Sequence, residues 1–300
     1  MPRSAARPQA LRGRVFRGSS VVAQGLLTPK QLRSSAWTRL RQDVYADAEL
    51  VLTHRLMVSA VGLVLPSGSA FTGRSAAVLR GVPDIASVED PVDVLLPAGT
   101  RWNAGSGVRA RSMRPNQPVV RVGRWRCADR VDTALDVIRR GAIDEAVIAL
   151  DRLVRDGMVG LDDVRQAAAV LPRGRGSAQA RTVAQLADGQ AESPQETRLR
   201  LVLAAAGLPC PVAQYRVFDG DGFIARVDFA YPELRIAIEY DGLWHGERRA
   251  FLDDRRRLNR LVAAGWIVLH VTVDDLHHPE RLAARVRVLR AQRLALINTR

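Results

Sequence analysis

The chain reads as two domains of mixed α/β class, and three observations lead there. Its 300 residues exceed the usual size of a single domain. Its hydrophobic share, 47%, is enough for packed cores. Stretches of period-two alternation also interleave with stretches of helical period on both sides of "PRGRGSAQARTVAQLADGQAE", 172–192. Glycine, serine, alanine and arginine dominate that segment, which suits a linker or a loosely packed helix between domains.

Other classes are excluded early. No apolar run reaches the roughly 18 to 20 residues of a membrane span, and the basic start "MPRSAARPQALRGRVFRGSS" has no hydrophobic stretch after it, so a cytoplasmic protein is expected. Cys127 and Cys210 are the only cysteines and lack metal-ligand spacing. The formal charge is +14, carried almost wholly by arginine, with Lys30 the single lysine. A polyanion is the partner such a balance suits, nucleic acid first, because arginine makes bidentate contacts to phosphate and guanine. A G- and C-rich genome would also favour arginine codons without any binding.

From the N-terminus, residues 1–14 carry Arg3, Arg7, Arg12 and Arg14 without an acid and suggest a flexible basic tail. "GSSVVAQGLLTPKQLRSSAWTRLRQDVYA" then suggests a short helix, a turn at Gly25, and a second helix capped by Thr28 with Pro29 at its first position. A strand at Val44 and Tyr45 follows, completing a winged helix-turn-helix over 15–49. In that arrangement Lys30, Gln31, Arg33 and Arg39 face DNA while Leu32, Trp37 and Leu40 pack inward; a plain structural hairpin has the same pattern. Over 50–171, "SAAVLRGVP" suggests a helix, "PVDVLLP" and "GVRARSM" strands, and 129–156 and 161–170 helices. His54 stands alone there, as structural or solvated histidines do.

The region 193–298 carries more chemistry. "SPQETRLRLVLAAAGLP" has a serine cap, Pro194, and Leu199, Leu203 and Ala206 on one stripe. Glu196 falls in its first turn, where it could serve as a capping-box carboxylate. "FIARVDFAYPELRIAIEYDG" reads as two alternating strands about Pro232 and Glu233; a two-residue turn there sets Asp228 opposite Ala237 and Arg226 opposite Glu239. Alternation puts Asp228, Glu239 and Asp241 on one face and Val227, Phe229, Ile236, Ile238 and Tyr240 on the other. Crowded carboxylates need positive charge. An ion pair between Arg226 and Glu239 would supply it. So would a divalent cation, with Asp228, Glu239 and the Tyr240 backbone carbonyl giving the hard oxygens that Mg²⁺ prefers. Downstream, "RRAFLDDRRRLNRLVAAGW" suggests an arginine-rich helix with Leu258, Leu261 and Val262 inward and Arg255, Arg256 and Arg260 left for solvent or phosphate; Arg257, with Arg255, Arg256 and Arg226, is a candidate contact to nucleic acid. "WIVLHVTV" suggests a buried strand with His270 in the core, and Leu282, Val286, Leu289 and Leu296 mark a closing helix.

Glu196, "GLPCPVAQ", "RVDFAYPELRIAIEYDG", "WH", "DRRRLN", "GWIVLHVT" and "DDL", in that order, resemble the very-short-patch-repair endonuclease-like domain of the restriction-endonuclease-like superfamily. The resemblance covers about a third of the chain. It implies a mixed β-sheet flanked by helices, a Mg²⁺- or Mn²⁺-dependent endonuclease, Asp228 and Glu239 as metal-binding acids, and Glu196 as a third acid. Asp241 stands where that superfamily has a lysine, so Asp241, His245 or Arg257 would have to take over its charge work, with His245 the candidate general acid or base. Residues 16–150 resemble, more loosely, the AbiEi-type antitoxin arrangement, which implies DNA binding at the front of the chain and a cognate toxin as a partner. A non-catalytic DNA-binding regulator with a degenerate nuclease domain is the alternative from another class.

Overall fold

The computed structural model describes residues 7–220, 222–242 and 248–298. The protein is of mixed α/β class, as expected, and divides into two compact units: 1–140 with 156–177, and 141–155 with 178–300. The second unit therefore begins well before position 193, because one helix of the middle region belongs to it.

The first unit opens with a three-stranded antiparallel sheet of β1 (Val15–Arg17), β2 (Trp37–Arg41) and β3 (Val44–Asp47), in the order β1-β3-β2, with α1 (Gly18–Ala23) against it. Here the helix-turn-helix expectation is corrected. The second helix is a single 3-10 turn, Gln31–Arg33, and Arg39 lies on β2. Pairing of Trp37–Arg41 with β3 overrides the weak helix propensity of that serine-containing segment, and buries Trp37 with Leu11, Phe16, Val21, Leu27 and Leu32. The tail expectation fails over 7–14 as well: Leu11 is buried and Arg7 pairs with Asp47 and Glu49.

Next come α2 (His54–Gly62), β4 (Ala70–Phe71), α3 (Gly73–Leu79), β5 (Val92–Leu96), β6 (Val108–Ser112), β7 (Val119–Val122), β8 (Trp125–Ala128) and α4 (Arg130–Ile138). The strands form one mixed sheet, β6-β5-β4-β8-β7, with β6 and β7 at its edges. Val58 and Val61 of α2 and Ala76 and Leu79 of α3 pack on Phe71, Val92, Val94, Leu96 and Cys127. His54 is structural: Nδ1 bonds the Ser87 carbonyl oxygen at 3.0 Å and Nε2 meets Ser75 Oγ at 2.9 Å.

The chain then gives α5 (Ile143–Arg155) to the second unit and returns α6 (Leu161–Ala169) to the first. Of the two readings of 172–192, linker or helix, the structure has largely the helix, α7 (Ser177–Leu186), with Ala180, Val183 and Ala184 buried. Small residues give it a thin apolar face that composition alone disguises as a linker.

In the second unit, α8 (Pro194–Ala205) precedes the meander β9 (Val212–Asp219), β10 (Gly222–Tyr231) and β11 (Ile236–Tyr240). Helix α9 (Arg248–Ala263) crosses over to β12 (Ile267–Val271), parallel to β11, and α10 (Val273–His277) and α11 (Pro279–Asn298) follow. The sheet order is β12-β11-β10-β9. Leu199 and Leu203 of α8 and Leu282 and Val286 of α11 cover Phe229, Tyr231, Ile236 and Ile238 on one face. Leu261 of α9 lies on the other, with Val217, Val227, Ala230 and Ala237. Val227, expected on the face of Phe229, packs instead with this second cluster. Fully burying each of these large apolar side chains is worth about 1.5–3 kcal/mol. Val262 and Leu296, expected to pack inward, are 58% and 60% exposed.

A buried polar knot ties α5 to this unit. Asp151 accepts from Arg200 Nη2 at 2.7 Å, Thr197 Oγ1 at 2.9 Å, and the Asp188 and Gly189 backbone N–H groups at 2.9 Å each. Gly189 has φ +71, and an added Cβ would meet Val154 Cγ1 at 2.4 Å, so only glycine fits beside this knot.

Candidate functional site

The β10–β11 connection is a 3-10 turn, Pro232–Leu234, closed by Arg235 in the left-handed region at φ 49, and not a two-residue turn. The register is accordingly Phe229↔Ile238, Ala230↔Ala237 and Tyr231↔Ile236. Continued one step, it sets Asp228 beside Glu239, correcting the expected pairings with Ala237 and Arg226. The shift is by two residues, so Asp228 and Glu239 keep a common face. On the other flank, Val227↔Tyr215 and Phe229↔Ala213 bring Gln214 beside Asp228.

Asp228 Oδ2 accepts the Tyr240 backbone N–H at 2.8 Å. Burial pushes its pKa up to about 6, and the charges of Glu196, Glu239 and Glu192 add to the rise against that hydrogen bond. Glu239 is 7% exposed. Its two carboxylate oxygens receive Arg257 of α9: Nη2 donates to Oε2 at 3.0 Å and Nη1 donates to Oε1. The same guanidinium reaches Asp254 Oδ1 from Nη2 at 2.7 Å. The hydrogen bond to Glu239, with that to Asp254, holds Arg257 even further above its ordinary range. Arg226, expected as the partner of Glu239, pairs instead with Glu192 at 2.8 Å.

Glu196 is 6% exposed at the start of α8. Its backbone N–H donates to Ser193 Oγ at 3.2 Å, which is half of the capping box. Its carboxylate turns elsewhere: Oε2 accepts the Glu192 backbone N–H at 2.8 Å and Gln214 Nε2 at 2.9 Å. Gln214, with φ 50, uses the left-handed conformation to present that amide. Asp241 Oδ2 lies 3.0 Å from His270 Nδ1 at an angle that makes no hydrogen bond. His270 is therefore at the rim of the site and not in the core. Asp228, Glu239, Asp241, Asp254, Arg226 and Arg257 line a cleft of about 450 Å³.

The structure thus gathers Asp228, Glu239, Asp241 and Arg257, with Glu196 behind Asp228 and Arg226 at the edge. Arg255 and Arg256 are exposed on α9. His245 lies outside the described residues. Lys30, Arg33 and Arg39 are exposed, whereas Gln31 is engaged locally: its Oε1 accepts the Thr28 backbone N–H at 2.7 Å. Sequence reasoning missed Gln214, Asp254 and His270 as site neighbours, although all three fall within the stretches that carry the resemblance.

Among the described residues no three His, Cys, Asp or Glu side chains are gathered so as to hold a metal ion. In kind, however, the donors suit a hard divalent cation. Asp228 is a half-buried carboxylate whose crowding by other acids calls for a cation. Arg257 holds Glu239 in the role such an ion would have, so an ion there would exchange with the guanidinium.

Among the described residues no helix is long and apolar enough to cross a membrane. No family model matches the chain, and no solved structure matches it. Two curated proteins of Mycobacterium tuberculosis do: uncharacterized protein MT2308 of strain CDC 1551 / Oshkosh and uncharacterized protein Rv2248 of strain ATCC 25618 / H37Rv. Each is 32% identical over 265 residues, covering 85% of this chain and 93% of its own length. With that identity across nearly the whole of both chains, the protein belongs to the same family as Rv2248 and MT2308.

Proposed function

We propose that the second unit is a metal-dependent phosphodiesterase acting on nucleic acid, of the very-short-patch-repair endonuclease kind, in a cytoplasmic protein. The juxtaposition of Asp228 and Glu239 on neighbouring strands, with Glu196 behind, carries this reading. Mg²⁺ or Mn²⁺ bound by Asp228, Glu239 and the Tyr240 carbonyl would polarise a phosphate and acidify its water. The chain's own groups supply the rest. Arg226, Arg255 and Arg256 offer cations to the strand. Arg257, freed from Glu239, offers a bidentate contact to the phosphate. Asp241 lines the cleft with His270 Nδ1 3.0 Å from its Oδ2, and would be the group that moves a proton.

A second reading has its own support. The two hydrogen bonds from Arg257 neutralise Glu239 without any ion, as a non-catalytic DNA-binding regulator of the antitoxin type would require. A cognate toxin would then be its partner.

Labelled single-stranded, duplex and mismatched DNA, and RNA, incubated with the full chain in Mg²⁺, Mn²⁺ or EDTA, separate the two. Cleavage that needs metal and is lost in both Asp228→Asn and Glu239→Gln supports the enzyme. Binding with every substrate intact supports the regulator, and neither binding nor cleavage removes both.

A further inference from the structure

Residues 94–128 contain seven arginines and no acid. Three of them are neutralised from outside the stretch: Arg109 by Asp93 at 3.1 Å, Arg111 by Asp136 and Arg114 by Asp132. Arg121, Arg124 and Arg126 are exposed on the β7–β8 hairpin, and among the described residues no carboxylate pairs with them. Arg121 and Arg126 are direct cross-strand partners. Like charges at such positions repel at short range and destabilise the hairpin. Arg124 sits at the tip, next to Gly123 with φ +57, its guanidinium 4.3 Å from the centre of the Trp125 ring. Since β7 is an edge strand, the ribbon is open on its outer side.

Three exposed arginines on one short hairpin, two of them cross-strand partners and none paired with an acid among the described residues, suit an anion. We propose that the β7–β8 hairpin is the surface with which the first unit grips the phosphate backbone of a nucleic acid. It takes the role expected of a recognition helix, which is absent among the described residues of this unit. It rests on the preceding reading only for the class of partner and needs none of the chemistry at Asp228.

Arginine suits this role, because its planar fork matches phosphate oxygens and is weakly hydrated. Three such contacts would give sequence-independent binding with a marked salt dependence. An anionic membrane is the poorer occupant. Trp125, the one aromatic at the tip, is turned inward: its ring meets Phe71 edge-on at 5.6 Å, and a Cβ on Gly62 would strike it at 2.3 Å. The hairpin tip therefore has no aromatic anchor to insert between lipids.

The test uses the full chain in EDTA, carrying Asp228→Asn so that no substrate is cut. Binding to fluorescein-labelled duplex DNA, single-stranded DNA and single-stranded RNA is followed by anisotropy across a salt series. Arg121→Gln/Arg126→Gln should weaken binding at least tenfold and reduce the log–log salt slope by about two. Arg173→Gln/Arg175→Gln, an equal loss of charge on exposed residues elsewhere in the first unit, should leave the slope unchanged. In the absence of nucleic acid the hairpin variant should melt no lower than its parent, because it relieves a repulsion. Equal affinity and slope in the two double variants would overturn the proposal. So would capture by phosphatidylglycerol-containing vesicles that depends on Arg121 and Arg126 when DNA binding does not. Hairpin-dependent binding without any cleavage by the wild-type chain would sink the phosphodiesterase reading alone. Cleavage with hairpin-independent binding would sink this one alone.

Discussion

Arg257 of α9 donates hydrogen bonds to both carboxylate oxygens of Glu239 on β11, a residue that its neighbours leave almost wholly buried. Removing one partner of a buried pair strands the other charge, and that costs more than the pair itself contributes. The exposure of Arg257, 31%, tempers the effect.

Arg257→Gln is expected to lower stability by about 2 kcal/mol in EDTA, read by urea denaturation. If the guanidinium stands in for a metal ion, Mg²⁺ should raise the melting temperature of this variant more than that of the wild type. An equal response in the two proteins would show that Arg257 does not compete with an ion.

Asp228 links stability to pH. Between about 3.8 and 6 the unfolded chain has released a proton that the folded carboxyl still holds. Stability contributed by this group therefore falls as pH rises through that window and stays low above it. Asp228→Asn should be more stable than wild type at pH 7.5, by about 2 kcal/mol, with the advantage vanishing near pH 4. A variant less stable than wild type at pH 7.5 would mean that a bound cation had already relieved the charge.

Asp151 tests a structural role away from the cleft. It takes one guanidinium, one hydroxyl and two backbone N–H groups in a site 1% exposed. Asp151→Ala should cost about 3–5 kcal/mol, measured by chemical denaturation. A loss below about 1 kcal/mol would show that α5 does not depend on this knot.

Gln31 separates stability from base reading. Its side chain bonds the Thr28 backbone N–H and hydroxyl. Gln31→Ala should cost about 1 kcal/mol and leave any DNA sequence preference intact. A changed preference with unchanged stability would restore Gln31 as a base-reading residue.

The acids of the cleft were legible because strand alternation survives an error in turn length. Reading Pro232 and Glu233 as a two-residue turn misplaced the register by two, yet Asp228 and Glu239 still shared a face. The partner of Glu239 was harder to read. Arg226 is close in sequence and Arg257 is not, and only the crossover of α9 onto that face decides between them. The missing recognition helix has a similar origin. "TPKQLRSSAWTRLR" carries a helix-start signal, and pairing of β2 with β3, invisible to local propensity, overrides it. His270 looked like a core residue because its neighbours are apolar; its position beside Glu239 in the β11–β12 register sets it at the strand end instead.

The order in which the chain visits its two units has a practical side. It passes from the first to the second after Arg140, back before Asp156, and over again after Ser177. Three strands of backbone therefore bridge the units, and a single protease nick at any one crossing leaves the halves joined by the other two. A gene fragment begun at position 193 would lack α5 and with it the counter-ion of Arg200, and should yield insoluble or poorly folded material however intact its cleft residues. Recombination that trades the second unit between relatives would have to move the segment 141–155 together with it.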